Sequence, residues 1–181
     1  MKEKIELIED IVQNGLNSSI DRINRISSFK WEIKDIEFKL SKDDFDCICV
    51  YLIASNFNKI AFSLFIKTSD LPALFKDFSG HLSNYLMRIP KVYEVLASEI
   101  GNIIMNSVLS ELANRMNKAI IPDVPRTLSG SKSFLLENIS AMIEENKNKT
   151  VISSVVSVKT EQKNVKIELY FFFENDIMDN I

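Results

Sequence analysis

Reactive side chains are scarce in this sequence. Its 181 residues include one histidine, His81, two cysteines, Cys47 and Cys49, four glycines and four prolines. That inventory does not furnish the sites of Ser-His-Asp hydrolases, P-loop proteins or zinc enzymes. Cys47 and Cys49 stand two positions apart, on the same side of a strand, which is poor geometry for a disulfide. With one histidine and no third cysteine to help them hold a metal, both are expected to be reduced thiols, buried or half-buried. His81 is expected at a loop or helix end, without a special role. A basic excess is also lacking: 22 Lys and Arg face 25 Asp and Glu, for a net charge of −3. No positive field collects phosphate backbones, so nucleic acid is not an expected partner. Nor does any apolar run approach the roughly 18 residues that span a bilayer. The longest runs, such as CVYLIA at 49–54, have the length of strands. The alternating charges of MKEKIELIED do not resemble a signal peptide, so a cytoplasmic chain without membrane insertion is expected.

What is present has the balance of a globular domain. Apolar residues make up 46% and charged residues 26% of the chain, and 181 residues suffice for one domain with a sizeable core. Ile5, Ile8, Ile11, Val12, Ile20 and Ile23 recur at helical spacing and predict a helix over 3–26, broken or eased near Asn14-Gly15. Three strand-like runs follow at 31–40, 45–55 and 59–67. In the first, the apolar residues Trp31, Ile33, Ile36, Phe38 and Leu40 fall in two phases. The turn-like links SKDD (41–44) and SNFN (55–58) predict antiparallel neighbours. SDLPALFKDFSG then predicts a short helix, capped by Ser69 or Asp70, with Pro72 in its first turn and Gly80 at its end.

After Pro90, an apolar stripe of Val92, Leu96, Ile100, Ile103, Ile104, Val108, Leu109, Leu112 and Met116 predicts a helix over about 91–117. Glu99 and Asn102 fall on its outer side, one turn apart, and are expected in solvent, with Ile100, Ile103 and Ile104 buried. KAIIPDVPRTLS predicts an edge strand interrupted by two prolines, and 132–146 an amphipathic helix. Strands at 150–159 and 164–173 come last, before a polar, frayed tail, ENDIMDNI.

The order of these elements is that of one unit written twice, with halves of about 1–89 and 90–181 in a single domain. Moving residues 6–24 along by 89 positions sets Leu7 on Leu96, Ile11 on Ile100, Ile20 on Leu109 and Ile23 on Leu112. Asp10 then falls on Glu99, and Gln13 on Asn102.

The stretch EIGNIIMNSVLSELANRMNKAIIPDVP resembles the signature of the CheC-type chemotaxis phosphatases, the CheC/CheX/FliY family. Glu99 and Asn102 match its Glu-x-x-Asn, and 22 residues separate Asn102 from Pro125, as in the family pattern. Two features depart from it. The family's Asp or Ser four residues before the Glu is Val95 here, and the first half has Asp10 and Gln13 with no matching proline. The resemblance implies an α+β fold with pseudo-two-fold halves, most like that of CheC itself. Its six-stranded, mainly antiparallel sheet would carry the two long helices side by side on one face.

It also implies hydrolysis of the aspartyl phosphate of a CheY-like response regulator. In that chemistry Asn102 orients the attacking water, and Glu99 bonds to the regulator's active-site lysine. Asp10 and Gln13 form a degenerate second site, and Pro125 supports the motif. No cofactor is implied for this chain, since the regulator carries the Mg²⁺. A CheD-like protein is a further partner implied by the family. The alternative is a non-catalytic module of the same fold that docks a regulator, a CheD-like adaptor or the flagellar switch, as the middle domain of FliM does.

Overall fold

The computed structural model describes residues 2–54, 60–143 and 149–174. Helix α1 (Lys2–Ile26) is followed by strands β1 (Glu32–Glu37), β2 (Asp46–Ala54) and β3 (Ile60–Lys67). Helices α2 (Leu71–Ser79) and α3 (Ser83–Leu86) lead to α4 (Val92–Met116). Then come β4 (Arg126–Ser131), α5 (Lys132–Ile143), β5 (Lys149–Lys159) and β6 (Asn164–Glu174). The expected link at 55–58 and nearly all of the expected frayed tail lie outside the described residues.

The six strands form one sheet in the order β1-β5-β6-β3-β2-β4, with every pairing antiparallel. Alternation along β2 explains the layers. Ile48, Val50 and Leu52 join the core beneath α1 and α4, whereas Cys47, Cys49 and Tyr51 join Leu135 and Ile139 of α5 in a second, smaller core. The two long helices therefore lie side by side on one face, and α5 covers part of the other. No helix among the described residues is long and apolar enough to cross a membrane.

The two phases of the first strand have a structural cause. The pairing of β1 with β5 shifts register between Ile33 and Asp35, and this bulge moves the inward positions from Ile33 to Ile36. Prolines act differently from expectation in 118–125. Pro122 and Pro125 do not interrupt a strand but precede one, because a residue without an N–H cannot donate to the ladder. Pairing with β2 begins at Arg126. As expected, β4 is an edge strand.

Asn14-Gly15 does not break α1, which runs unbroken for 25 residues. Gly15 instead admits α4: a Cβ there would lie 2.5 Å from Val108 Cα. With the Asp10–Arg115 ion pair, that contact sets α1 and α4 antiparallel. Asp70 is the first residue before α2 but gives it no side-chain cap. Its carboxylate takes the Lys163 ammonium instead, at 2.5 Å. Gly80 ends α2 at φ 53°, where its missing Cβ also clears Ser28. On the opposite face Lys132 and Glu168 form a buried ion pair of 3.0 Å that ties the start of α5 to β6.

Candidate functional site

Helix α4 is buried over much of its circumference, through residues that include Leu96, Ala97, Ile100, Gly101, Ile104, Met105, Val108 and Leu112. Gly101 seats it on the sheet, since a Cβ there would come within 2.8 Å of the Val50 side chain. Its water-facing side includes a stripe of Val95, Glu99, Asn102, Asn106 and Ser110, spaced by three or four residues.

Glu99 is exposed, and among the described residues nothing pairs with its carboxylate. Asn102 is half-buried rather than fully exposed. Its Oδ1 accepts a hydrogen bond of 2.7 Å from Asn106 Nδ2. One lone pair of that oxygen is thereby used, and the Asn102 amide plane is held with its N–H₂ end free to donate. Ile100 and Ile104 are buried as expected, but Ile103 only half so. Val95 stands 59% exposed, one turn before Glu99. An apolar side chain so placed contributes little to the core.

Pro125 is half-buried and immediately precedes β4. Val50, beneath Gly101, pairs with Thr127 of that strand. The proline thus enters the sheet beside the part of β2 over which the Glu99–Asn102 turn is seated. Asp123 N–H donates to Ile53 O at 3.0 Å and fixes the approach of this loop.

Asp10 occupies the corresponding place on α1 but not the corresponding state. Its Oδ2 accepts from Arg115 Nη2 of α4 at 2.8 Å, while Gln13 is exposed. The structure brings Asp10 and Gln13 together on one helix and Glu99 and Asn102 on the other. Only the first carboxylate is closed by a cation.

The remaining reactive residues lie away from this stripe. Cys47 and Cys49 are buried free thiols on the α5 side of β2. Burial pushes the Cys47 thiol up to about 12 and raises that of Cys49 as well, so neither supplies a thiolate at neutral pH. His81 is exposed in a short turn after α2. Asp44 accepts from both the N–H and the hydroxyl of Ser133, each at 2.9 Å, and so holds the start of α5. Those bonds keep its carboxyl below the usual carboxylate range. Asn106 is the residue that sequence reasoning missed. The signal was its position four residues after Asn102, which places the two amides in hydrogen-bond reach on a helix.

No protein-family model matches the sequence, and no curated protein does. Solved structures do resemble the fold. FliY of Thermotoga maritima superposes with a TM-score of 0.69 at 12% identity, over 99% of this chain and 93% of that one. The middle domain of FliM from H. pylori gives 0.66 at 10% identity, over 100% and 99%. CheX, a chemotaxis protein from Desulfovibrio desulfuricans, gives 0.59 at 12% identity, over 90% and 99%. At these identities the likeness is one of fold: this α+β chain with its six-stranded antiparallel sheet has the architecture of FliY, CheX and the FliM middle domain.

Proposed function

We propose that the chain is a CheC-type phosphatase, most like CheC itself, that hydrolyses the aspartyl phosphate of a CheY-like response regulator in chemotaxis signalling. One observation carries this reading, the contrast between two equivalent carboxylates. Among the described residues Glu99 is exposed and unpaired beside an amide held in place by Asn106, whereas Asp10 is engaged by Arg115. A single working centre is the consequence, with Asp10 and Gln13 as its disused counterpart.

The chemistry asks little of the phosphatase. An acyl phosphate is already activated, and the regulator would contribute Mg²⁺ and a lysine. Glu99 forms a charge-assisted bond to that lysine and sets the register of the complex. Asn102 donates through its N–H₂ group and accepts through the second lone pair of Oδ1, so it can hold a water in line with the scissile bond. The chain itself needs no metal. A CheD-like protein remains a further proposed partner.

The test is loss of phosphoryl label from the cognate regulator. Asn102→Ala should leave binding nearly intact and remove most of the acceleration, on the order of 10²-fold, the cost of misplacing an attacking group by about 1 Å. Glu99→Ala should weaken both binding and turnover. Asp10→Ala and Gln13→Ala should change little, and equal losses from Gln13→Ala and Asn102→Ala would establish two working centres.

Val95 favours a second reading. An exposed apolar residue stands where the family has Asp or Ser, as on a docking surface. FliM of H. pylori, of like fold, has been crystallised with FliG. No acceleration by the unmutated protein would assign the chain to this class of binding modules, with a regulator, a CheD-like adaptor or the flagellar switch as partner.

A further inference from the structure

Five of the twelve exposed large hydrophobic residues among those described fall within the stretch 82–95: Leu82, Tyr85, Met87, Ile89 and Val95. Tyr85 is 70% exposed and Leu82 63%. Scattered apolar residues on a surface need no explanation, but five within fourteen residues of chain are a concentration of the kind that interaction sites show. The stretch is also held firmly. Leu86 and Val92 are packed against the core, and everything between them is exposed. Arg88 N–H donates to Tyr85 O and Ile89 N–H to Leu86 O, while the Glu94 and Val95 amides both donate to Lys91 O. Tyr85 and Ile89 therefore stand in water on a fixed course that leads directly into α4. Val95 continues the series along the chain into the helix, and Glu99 follows one turn later. From Val95 to Asn102 is about 10 Å along the axis.

The same stretch carries cations. Arg88 is exposed with no ion-pair partner among the described residues, and Lys91 shares Glu94 at 3.4 Å. An aspartyl phosphate with Mg²⁺ beside it lies among carboxylates, because Mg²⁺ is held by one or two of them together with phosphate oxygens. Glu99 must approach that acidic cleft on a chain whose own net charge is −3. A local positive charge beside the patch offsets the repulsion.

Resting on the phosphatase reading above, we infer that Tyr85, Ile89 and Val95 form a docking platform for the regulator, with Arg88 directed to the acidic rim of its phosphorylation site. The platform supplies affinity and orientation, and the Glu99–Asn102 turn supplies the chemistry. It also gives Val95 a role: an apolar contact at the seam between platform and catalytic turn.

The test measures binding of the full chain to regulator loaded with beryllofluoride, a phosphoryl mimic, at low and high salt, together with steady-state turnover. Arg88→Glu should raise Kd and KM about tenfold at low salt and flatten the salt dependence, with kcat nearly unchanged, as for a charge at the rim of an interface. Arg88→Lys should restore most of the loss. Tyr85→Ala should raise KM several-fold without altering the salt dependence, since it removes contact area and no charge. Both side chains are exposed, and unchanged circular dichroism checks that the fold is retained. If the variants bind and turn over like the parent, the platform is refuted while the phosphatase stands. The same holds if kcat falls at constant KM. Failure of the unmutated chain to bind the loaded regulator refutes both.

Discussion

Asn102 and Asn106 show what a single hydrogen bond contributes to a site. A carboxamide is nearly symmetrical in shape but donates at one end and accepts at the other, so a free amide can present either end. The 2.7 Å bond from Asn106 Nδ2 to Asn102 Oδ1 removes that freedom. If Asn102 orients water, Asn106 is a positioning residue for it. Asn106→Ala should leave regulator binding unchanged and lower turnover by roughly tenfold, less than the loss from Asn102→Ala, because a rotating amide still visits the productive orientation. Asn106→Asp should cost more, since a carboxylate beside Oδ1 turns the Asn102 amide the wrong way. Turnover unchanged in both variants would reduce the bond to a structural detail of α4. Little of this was legible beforehand. An asparagine four residues after another is an ordinary helix surface, and it gains meaning only once the burial of Ile100, Ile104 and Val108 shows which stripe stays wet.

Elements were more legible than side chains, because periodicity and turn chemistry act locally. The apolar spacing of α1 and α4 and the run of strands follow from residues near in sequence. Misreadings arose where a residue answers to a distant neighbour. Asp70 is a good helix cap by type, yet Lys163, from the turn between β5 and β6, takes its carboxylate. Gly15 reads as a weak point in a helix, yet it serves the crossing with α4. Substitution separates these roles. Alanine is favoured over glycine within a helix by about 1 kcal/mol, so Gly15→Ala on an isolated helix would stabilise. Here the added Cβ would lie 2.5 Å from Val108 Cα and 2.9 Å from its nitrogen, both backbone atoms of a long helix that cannot yield locally. Overpacking costs about 1–3 kcal/mol, which exceeds the gain in propensity. Gly15→Ala should therefore lower the urea midpoint. Gly101→Ala should cost less, because its nearest neighbours are side-chain atoms of Val50. A midpoint raised by Gly15→Ala would mean that the helices separate without penalty.

At the scale of the whole molecule the sheet order carries the strongest regularity. Exchanging β1, β2 and β3 with β4, β5 and β6 turns the order β1-β5-β6-β3-β2-β4 into its own reverse. That property supports the reading of one unit written twice, as does the antiparallel pair of α1 and α4 on one face. The decoration is unequal. Helices α2 and α3 follow the three strands of the first half and build the approach to α4, whereas α5 covers the other face through β4, β2 and β3. Inequality extends to the two carboxylates. Arg115 comes from α4 and reaches Asp10 on α1, while the position equivalent to Arg115 on α1, 89 residues earlier, is Ile26, which brings no cation to Glu99. Among the described residues the two long helices thus present one open carboxylate, Glu99, and one paired one, Asp10. Titration of the chain with beryllofluoride-loaded regulator should accordingly give one regulator per chain. Glu99→Ala should weaken that site, and Asp10→Ala should leave both stoichiometry and affinity as they were. Arg115→Ala, which frees Asp10, should still give one, because α1 lacks both the asparagine and an approach like the one that 82–95 builds into α4. Two regulators bound per unmutated chain would show that the exposed ion pair opens readily and that both halves dock.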